Sequence, residues 1–428
     1  MGYEFFDIPT IVISGLLFIL NFKKIKQSSL YIIYLMFFGI YVVPLILDYV
    51  VGFPTYHYYW DATSSSYDRY EGFIKSYQHI NTRFFYDVFI LVIQIVLLYY
   101  KNNKRVGIVS GWRANESVRI SKSTVYILVF FAFLPSLICI YAGYYYVPFI
   151  FGWRENPILS AISQGEYYSF VERLSYVGLA SSMICMVHPK VNIPMKMFII
   201  ILCYMNLCIE SKRSILFFAM AFYILLKSCG LGIKLNTKTI AIISLIGIRF
   251  VLYQSIYIKM MRGYSDEDIL YTQVRIDLFR DDTARMIIYS LLSGTHTVLE
   301  YPFQSYLTQI AFIFPLDIIN GIFKPGITTI GFNRYLTCAL IGVPVSSGER
   351  WMTTSMIDEI IANFSILSVI IVPIVIYKLA KYIDKQSNIT QILFLSAILL
   401  SFMYSFNYIA YYFEFVILLN YIIKKQRL

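Results

Sequence analysis

Arginines and carboxylates occur together at several places along this chain, in spacings that suit the binding of a phosphate-bearing ligand. The first place is the short turn Glu210–Ser214, in which Lys212 and Arg213 follow Glu210. Arginine presents a planar fork of N–H donors that matches phosphate oxygens, whereas lysine offers a point charge. The turn is therefore a candidate anion clamp, and the alternative is an interfacial arginine that extends toward lipid headgroups.

The second place is the segment from Arg275 to Arg285. On a helix, Asp281 and Arg285 are i and i+4 neighbours, and Arg275 shares a face with Asp282. We expect Arg280 to be the arginine that meets a ligand, and we expect Arg285 to tolerate lysine better because Asp281 is its local partner. The alternative is a solvated surface helix held by ion pairs.

The third place precedes an apolar run near the end of the chain. Ser355, Glu359 and Asn363 are spaced as i, i+4 and i+8, which predicts a polar stripe along one helix face, and Arg350 lies just upstream. A carboxylate on that stripe has the chemistry of a general base for a sugar hydroxyl. The alternative is a role in helix capping and headgroup contact.

A fourth charged residue, Arg249, lies near the middle of a predicted membrane span. A charge at that depth is costly and needs a partner or a water-filled cavity. Glu414 in the last predicted span is the obvious partner. A structural ion pair and a place on the path of an anionic lipid are both consistent with this spacing.

The composition of the chain indicates the kind of secondary structure that carries these residues. The chain is 58% hydrophobic and only 14% charged, with apolar runs between polar breaks, which indicates an all-α polytopic membrane protein. Lysines and arginines concentrate in short loops between the runs, so orientation in a membrane explains the positive net charge better than nucleic-acid binding does. Continuous apolar runs argue against a β-barrel, and the scattered histidines and cysteines predict no metal site.

Hydropathy and charge predict about eleven transmembrane helices, with ten to twelve as the range. Residues 1–258 carry spans 1–8 with short loops, residues 259–363 form one large loop, and residues 364–428 carry the C-terminal spans and a basic cytoplasmic tail. The predicted spans are 8–22, 30–52, 84–100, 125–150, 171–187, 197–209, 215–226, 239–258, 364–380 and two within 389–423, which turn near 405–408.

The charge of the large loop predicts its side of the membrane. Lys259–Asn363 contains 11 acidic and 8 basic residues, whereas the rest of the chain contains 14 acidic and 28 basic ones. Because cytoplasmic loops collect Lys and Arg, the large loop is expected outside the cytoplasm. Its aromatic and aliphatic runs suit interfacial or re-entrant helices. Since no nucleotide is present there, any group transfer must use a substrate that is already energised in the membrane.

This layout resembles the O-antigen polymerases, bacterial membrane enzymes related to the O-antigen ligases, which polymerise lipid-linked oligosaccharide repeats. The resemblance covers most of the chain in architecture and about forty residues in motif. It rests on the turn Ser211-Lys212-Arg213, the late loop with Arg275 to Arg285, and Thr353-Thr354-Ser355 followed by Glu359 and Asn363-Phe364. The family usually has a glycine after the final Asn-Phe, where this chain has Ser365.

The resemblance implies a helical membrane fold, glycosyl transfer on the periplasmic face of the bacterial inner membrane, and no cofactor or metal. It implies undecaprenyl-diphosphate-linked oligosaccharides as substrates, with a chain-length regulator and a flippase as possible partners in the membrane. Glu359 is then expected to act as the base, with Arg213 and Arg280 on the diphosphate. The remaining expected substrate-binding residues are Glu210, Lys212, Arg249, Arg275, Arg285, Arg350, Ser355 and Asn363.

Three other functions fit parts of the pattern. An O-antigen ligase would need the same site chemistry. A lipid-linked oligosaccharide flippase would be built from repeated halves with short loops, and neither feature occurs in the sequence. A non-catalytic scaffold would leave the arginines outside the cytoplasm without a purpose.

The position of the large loop gives a direct test of topology. Cysteines introduced at Ser265 and Ser347 should react with a membrane-impermeant thiol reagent in intact spheroplasts, because both positions are expected outside the cytoplasm. The parent chain supplies the background signal. Labelling that appears only after lysis would reverse the topology and remove the argument for a nucleotide-free reaction.

Overall fold

The computed structural model describes residues 4–25, 29–51, 75–99, 122–141, parts of 177–199, 280–307, 332–344, 354–386, 388–404 and 406–425. Within these residues every regular element is helical and no strand occurs, so the predicted all-α class is confirmed for this part of the chain. The chain divides into two compact units. The first contains Met1–Arg105, Tyr264–Asp384 and Ser401–Ala410, and the second contains Val106–Gly263, Lys385–Leu400 and Tyr411–Leu428.

The helices are numbered in chain order. They are α1 (Glu4–Ile25), α2 (Ser29–Phe37), a π-helical segment (Phe38–Val42), α3 (Val43–Val51), α4 (Ile80–Leu98), α5 (Lys122–Tyr141), α6 (Asp281–Ser293), α7 (Phe332–Ile341), α8 (Met356–Phe364), a 3-10 turn (Ser365–Leu367), α9 (Ser368–Ile383), α10 (Asn388–Ser401) and α11 (Phe406–Lys425). The last apolar stretch thus forms two helices that turn after Ser401, close to the predicted position.

Three stretches among the described residues are long and apolar enough to cross a membrane, namely Ser29–Val50, Ile80–Leu98 and Met356–Ile383. Shorter apolar helices cover Asp7–Asn21, Ser123–Leu134 and Tyr412–Tyr421. These helices coincide with the predicted spans 1 to 4 and with the predicted C-terminal spans. The total of about eleven spans stays a prediction, as does the architecture of the large loop.

In the first unit, α4 is the helix on which the others assemble. Helix α1 and helix α9 pack on α4, α9 also packs on α2, and α6 packs on both α4 and α8. The face of α4 that meets these neighbours buries Phe89, Ile90, Ile93 and Leu97. Apolar burial on α4 therefore supports this assembly, in which α6 lies against both α4 and α8.

A group of buried polar side chains connects α1, α2 and α4. The Gln94 amide donates to Ser14 Oγ over 2.9 Å and accepts a hydrogen bond of 2.8 Å from the Tyr34 hydroxyl. Asn21 donates to the Gln94 backbone carbonyl over 3.0 Å. In an apolar setting these side-chain hydrogen bonds each contribute roughly 0.6–2 kcal/mol and fix the register of the helices.

The stretch from α2 to α3 changes its winding at a proline. Pro44 has no N–H and its ring crowds the carbonyl one turn earlier, so the preceding turn opens. The backbone N–H of Val43 donates to Phe38 O, which is the wider spacing of a π-helix. The opened turn contains Tyr41, whose side chain is buried.

The second unit contains α5 and most of α10 and α11. Phe131 of α5 meets Phe415 of α11 with ring centroids 5.9 Å apart at 64°, an edge-to-face contact. The Thr390 hydroxyl donates to Asn420 Oδ1 over 3.2 Å and thereby connects α10 with α11.

The apolar stretch Met356–Ile383 is bent at Ser365. This residue has φ 49° and ψ −127°, a backbone region that glycine enters freely and a residue with a Cβ does not. Asn363-Phe364 end α8, the 3-10 turn follows, and α9 continues from Ser368. The bend therefore lies at the position where the resemblance proposed from the sequence led us to expect a glycine.

Replacing Ser365 by glycine should stabilise the protein. Relief of a strained backbone is worth roughly 1–3 kcal/mol, and the extra chain entropy of glycine removes roughly 0.5–1 kcal/mol of that gain. We expect a net gain of about 1 kcal/mol, measured as a higher melting temperature in detergent. Ser365→Ala keeps the Cβ and should give no gain. If the alanine variant gained as much as the glycine variant, the strain argument would be wrong.

Candidate functional site

Arg285 of α6 lies between two aromatic rings. Its guanidinium carbon is 4.0 Å from the ring centroid of Tyr86 on α4 and 4.5 Å from that of Tyr77. The side chain is 1% exposed. Cation–π contacts are strongest when they are removed from water, so two rings at these distances hold the guanidinium firmly. Arg285 is thus the contact that fastens α6 to α4.

Asp281 completes the surroundings of this arginine. Its Oδ2 is 3.5 Å from Nε of Arg285, which confirms the i,i+4 pair predicted from the sequence. The Tyr77 hydroxyl lies between two carboxylates, 3.0 Å from Oδ2 of Asp281 and 3.1 Å from Oδ2 of Asp48. Burial alone lowers the pKa of Arg285, but Tyr77, Tyr86 and Asp281 outweigh it and the net direction is upward. Arg285 therefore keeps its charge in this buried place.

Tyrosine hydroxyls extend the network from α4 to α8. The Tyr86 hydroxyl donates to the backbone carbonyl of Tyr41 over 2.8 Å. The hydroxyls of Tyr41 and Ser355 lie 2.7 Å apart in a hydrogen bond. The carbonyl of Tyr41 lies in the opened π turn, so the local winding before Pro44 supports this chain of contacts. The N-cap of α8 is thereby connected to α4 through Tyr41, by its backbone carbonyl on one side and its hydroxyl on the other.

Ser355 caps α8 together with Asp358. Ser355 Oγ accepts from the Asp358 N–H over 3.2 Å, and Asp358 Oδ2 accepts from the Ser355 N–H over 2.7 Å. This reciprocal pair is a capping box, and it satisfies two backbone donors at the start of the helix. The capping role weighed for this segment is therefore confirmed for Ser355.

Arg280 reaches the same place from the start of α6. Its Nε donates to the backbone carbonyl of Met403 over 3.2 Å, and its charge acts on both Asp358 and Tyr41. Both Arg280 and Asp358 are buried. Asp358 Oδ1 accepts no hydrogen bond from the residues that the structure describes. One aspartate oxygen thus holds the helix cap, and the charge of a buried arginine acts on the same carboxylate.

Glu359 faces a different neighbour. Adjacent positions on a helix differ by about 100° in direction, so Glu359 does not share the side of Asp358. Its carboxylate acts on Tyr306, and burial first and this carboxylate second raise the pKa of the Tyr306 phenol. Asn363, one turn later, donates to the Glu359 backbone carbonyl over 2.7 Å and to Ser305 Oγ over 2.5 Å. Of the polar stripe predicted for Ser355, Glu359 and Asn363, the last two residues thus face segment 300–307. Ser355 instead contacts Tyr41.

Charge is unusually concentrated in this part of the first unit. Among the described residues, the buried arginines and carboxylates are Arg83, Asp87, Arg280, Asp281, Arg285, Asp358 and Glu359. Arg83 of α4 also pairs with Asp7 of α1. A buried charge costs several kcal/mol unless it is paired, so seven on three neighbouring helices point to a functional site. No group of metal-binding side chains occurs among the described residues.

The structure therefore brings together five of the predicted residues in one buried cluster and its flank. These are Arg280, Arg285, Ser355, Glu359 and Asn363. The surface-helix alternative for Arg275 to Arg285 is wrong for α6, because Asp281 and Arg285 are buried. The other predicted residues, which are Glu210, Lys212, Arg213, Arg249, Arg275 and Arg350, lie outside the described residues.

Sequence reasoning missed several members of the cluster. Asp358 is the carboxylate next to Arg280, and the spacing that singled out Glu359 passed over it. Tyr77, Tyr86 and Tyr41 lie in distant parts of the chain, and nothing in their local sequence connects them with Arg285. The i,i+3 spacing at the start of α8 carried a usable signal, since Ser355-x-x-Asp358 has the form of a capping box.

No protein-family model matches this sequence, and neither a curated protein nor a solved structure matches it.

Arg285→Lys should destabilise the protein, contrary to the tolerance expected from the sequence. A lysine can keep the charge near Asp281 but cannot lie flat between the rings of Tyr77 and Tyr86. We expect a loss of about 1–3 kcal/mol of folding free energy, seen as a lower melting temperature in detergent. Tyr77→Phe keeps the ring and should retain most of the stacking. A lysine variant as stable as the parent would show that the stacking is not what holds α6.

Proposed function

We propose that this chain is a membrane-embedded glycosyltransferase that polymerises oligosaccharide repeats carried on undecaprenyl diphosphate, on the periplasmic face of a bacterial inner membrane. The observation that supports it most is the buried cluster in which the charge of Arg280 acts on Asp358, with Glu359 on the next position of the same helix. A cation next to carboxylates is the pairing that such a transfer needs.

The chemistry of the transfer explains why. The hydroxyl oxygen of the acceptor sugar forms a bond to the anomeric carbon of the donor, and the bond from that carbon to the diphosphate breaks. The electron pair leaves with the diphosphate, which stays on the lipid, and the hydroxyl proton passes to a carboxylate. Diphosphate is already a good leaving group, so the site must stabilise its developing charge and position two bulky substrates.

The residues divide between these tasks. Arg280 is the proposed diphosphate-binding cation within the described residues, and the assignment of Arg213 to the diphosphate stays a prediction from the sequence. Glu359 is the leading candidate for the base, and Asp358, on which the charge of Arg280 acts, is now a second candidate. Arg285 acts indirectly. Its contacts with the tyrosine rings hold α6 in place, and Arg280 is the N-cap residue of that helix.

The distribution of charge along the sequence supports the same function. The predicted large loop is acidic within an otherwise basic chain, and it supplies both α6 and the start of α8. On the expected topology, substrates reach the cluster from outside the cytoplasm, where a lipid-linked donor is available and a nucleotide sugar is not.

A strain that lacks the gene tests the proposal against its alternatives. We expect its lipopolysaccharide core to carry at most one repeat, with the ladder of longer products gone. A ladder that persists would contradict the polymerase function. Core without any repeat would favour a ligase or a flippase instead.

Point variants in the same strain test the site. Arg280→Lys keeps the charge but loses the bidentate fork, so it should weaken polymerisation by about 1–3 kcal/mol of transition-state stabilisation. Glu359→Gln and Asp358→Asn keep size and remove basicity. We expect one of the two carboxylate variants to abolish the ladder while the protein still accumulates in the membrane.

Lys378→Gln is the control, because Lys378 is an exposed charged side chain on α9 of the same unit and lies outside the buried cluster. Its ladder should be normal. Normal ladders from the arginine variant and from both carboxylate variants, at normal protein levels, would show that the site has been assigned wrongly.

A further inference from the structure

Phe303 combines two properties that seldom occur together. It has φ 64°, in the left-handed region that a bulky side chain avoids, and its side chain is 47% exposed. Within the described residues, Phe303 and Ser365 are the two non-glycine residues with positive φ. They flank one contact, since the Phe303 ring meets the ring of Phe364 edge to face, with centroids 5.6 Å apart at 72°.

Hydrogen bonds on both sides of Phe303 hold this geometry. Its backbone carbonyl accepts from the N–H groups of Tyr306 and Leu307, both over 3.0 Å, and so begins a helical turn. Ser305 in that turn accepts from the Asn363 amide over 2.5 Å. The turn is thus fixed to the end of α8, and the aromatic ring projects from a position that the surroundings determine.

Neither packing nor lipid contact requires such an arrangement. A packing residue would be buried, whereas about half of this side chain is exposed. A lipid-facing residue needs an apolar side chain but not a strained backbone, and a glycine here would be unstrained. Strain that persists at a single exposed side chain points to a role for that side chain in binding.

The surroundings of the ring suit a sugar. One face of a pyranose carries C–H groups and packs on an aromatic ring, while its hydroxyl rim needs polar partners. The loop that leads to Phe303 exposes the hydroxyls of Thr295 and Thr297 and the carboxylate of Glu300. A phosphate would need a set of cationic donors instead. Lys75 acts on His296 of this loop, but a single ammonium lacks the fork of donors that suits a phosphate.

The position along α8 relates this ring to the proposed reaction site. Phe364 is six residues after Asp358, which is about 9 Å along a helix axis. A short oligosaccharide spans that distance. A repeat unit whose reacting end lies at the Arg280–Asp358 cluster would therefore have its next sugars near Phe303.

We propose that the exposed ring of Phe303, held by the Asn363–Ser305 hydrogen bond and by Phe364, is a binding platform for a pyranose ring of the oligosaccharide substrate. This inference rests on the proposed function and identifies the part of the substrate that is recognised away from the reacting bond. Phe303 contacts the saccharide, and Asn363 holds Phe303 in position through its hydrogen bond to Ser305.

The test uses the purified full-length chain in detergent. The probe is the free oligosaccharide repeat, released by mild acid from the lipid-linked repeat of the same bacterium, and its binding is followed by calorimetry. Phe303→Gly removes both the ring and the strain, so we expect a higher melting temperature together with binding weakened at least about tenfold. Phe303→Gly with unchanged binding would overturn the inference.

Two further variants keep the test decisive if the glycine variant does not fold. Phe303→Tyr keeps an aromatic face and should bind within about threefold of the parent, a difference well below 1 kcal/mol. Phe303→Leu keeps an apolar side chain on the same strained backbone and should bind at least about tenfold more weakly. If the leucine variant bound as well as the tyrosine variant, Phe303 would be a lipid-facing residue and the inference would be wrong.

The two proposals fail in different ways. If the parent chain does not bind the free oligosaccharide although deletion of its gene removes the ladder, the platform is wrong and the polymerase stands. If the parent and Phe303→Tyr bind and Phe303→Leu does not, the platform is supported even where the deletion strain keeps its ladder. In that case this chain would bind the saccharide in a step of surface-glycan assembly other than polymerisation.

Discussion

The position of α6 depends on how Arg285 is held. A guanidinium placed in a largely apolar helical bundle loses the hydration of a full positive charge, and burial of this kind is tolerated only when other contacts replace the water. Here two tyrosine rings lie against the group and Asp281 Oδ2 approaches its Nε. Because one ring belongs to α4 and the arginine belongs to α6, the contact fixes one helix against the other. Without Arg285, the Asp281 carboxylate would be buried without its cation. Without Asp281 or the rings, the guanidinium charge would be buried without the contacts that replace water.

The remaining polar contacts follow from that anchor. Tyr86 covers Arg285 with its ring and donates from its hydroxyl to the Tyr41 carbonyl, while the Tyr41 hydroxyl meets Ser355 at the start of α8. The same α6 begins at Arg280, whose charge acts on Asp358. One arginine therefore stabilises the arrangement, and the other is the one proposed to bind the diphosphate, as supporting contacts surround designed sites in general. Segment 300–307 is joined to the far end of α8 by the Asn363–Ser305 hydrogen bond and extends the network away from the charges.

The sequence was sufficient for the helical class, for most helix positions in the described residues and for the Asp281–Arg285 pair. These features depend on local spacing, which a single sequence displays directly. The sandwich of Arg285 could not be found this way, because Tyr77 and Tyr86 lie about two hundred residues away from it and only the packing of α6 on α4 brings them together. Asp358 was missed for a different reason. A period of four residues selects one face of a helix, and the carboxylate beside Arg280 lies on the neighbouring face. The strain at Ser365 was visible in the sequence only as a departure from a family pattern, and its backbone cause needed the structure.

The central claim is that a lipid-linked repeat is both donor and acceptor and that the chain joins two of them at the buried cluster. The most direct measurement reconstitutes the purified protein in lipid nanodiscs with undecaprenyl-diphosphate-linked repeats and no nucleotide sugar. The products are then quantified by mass spectrometry. We expect a lipid-linked product with two repeats and one equivalent of released undecaprenyl diphosphate per bond formed, with both lost in the protein that carries Arg280→Lys and Asp358→Asn together. Substrate that stays unchanged until a nucleotide sugar is supplied, or a double variant as active as the parent, would contradict the account.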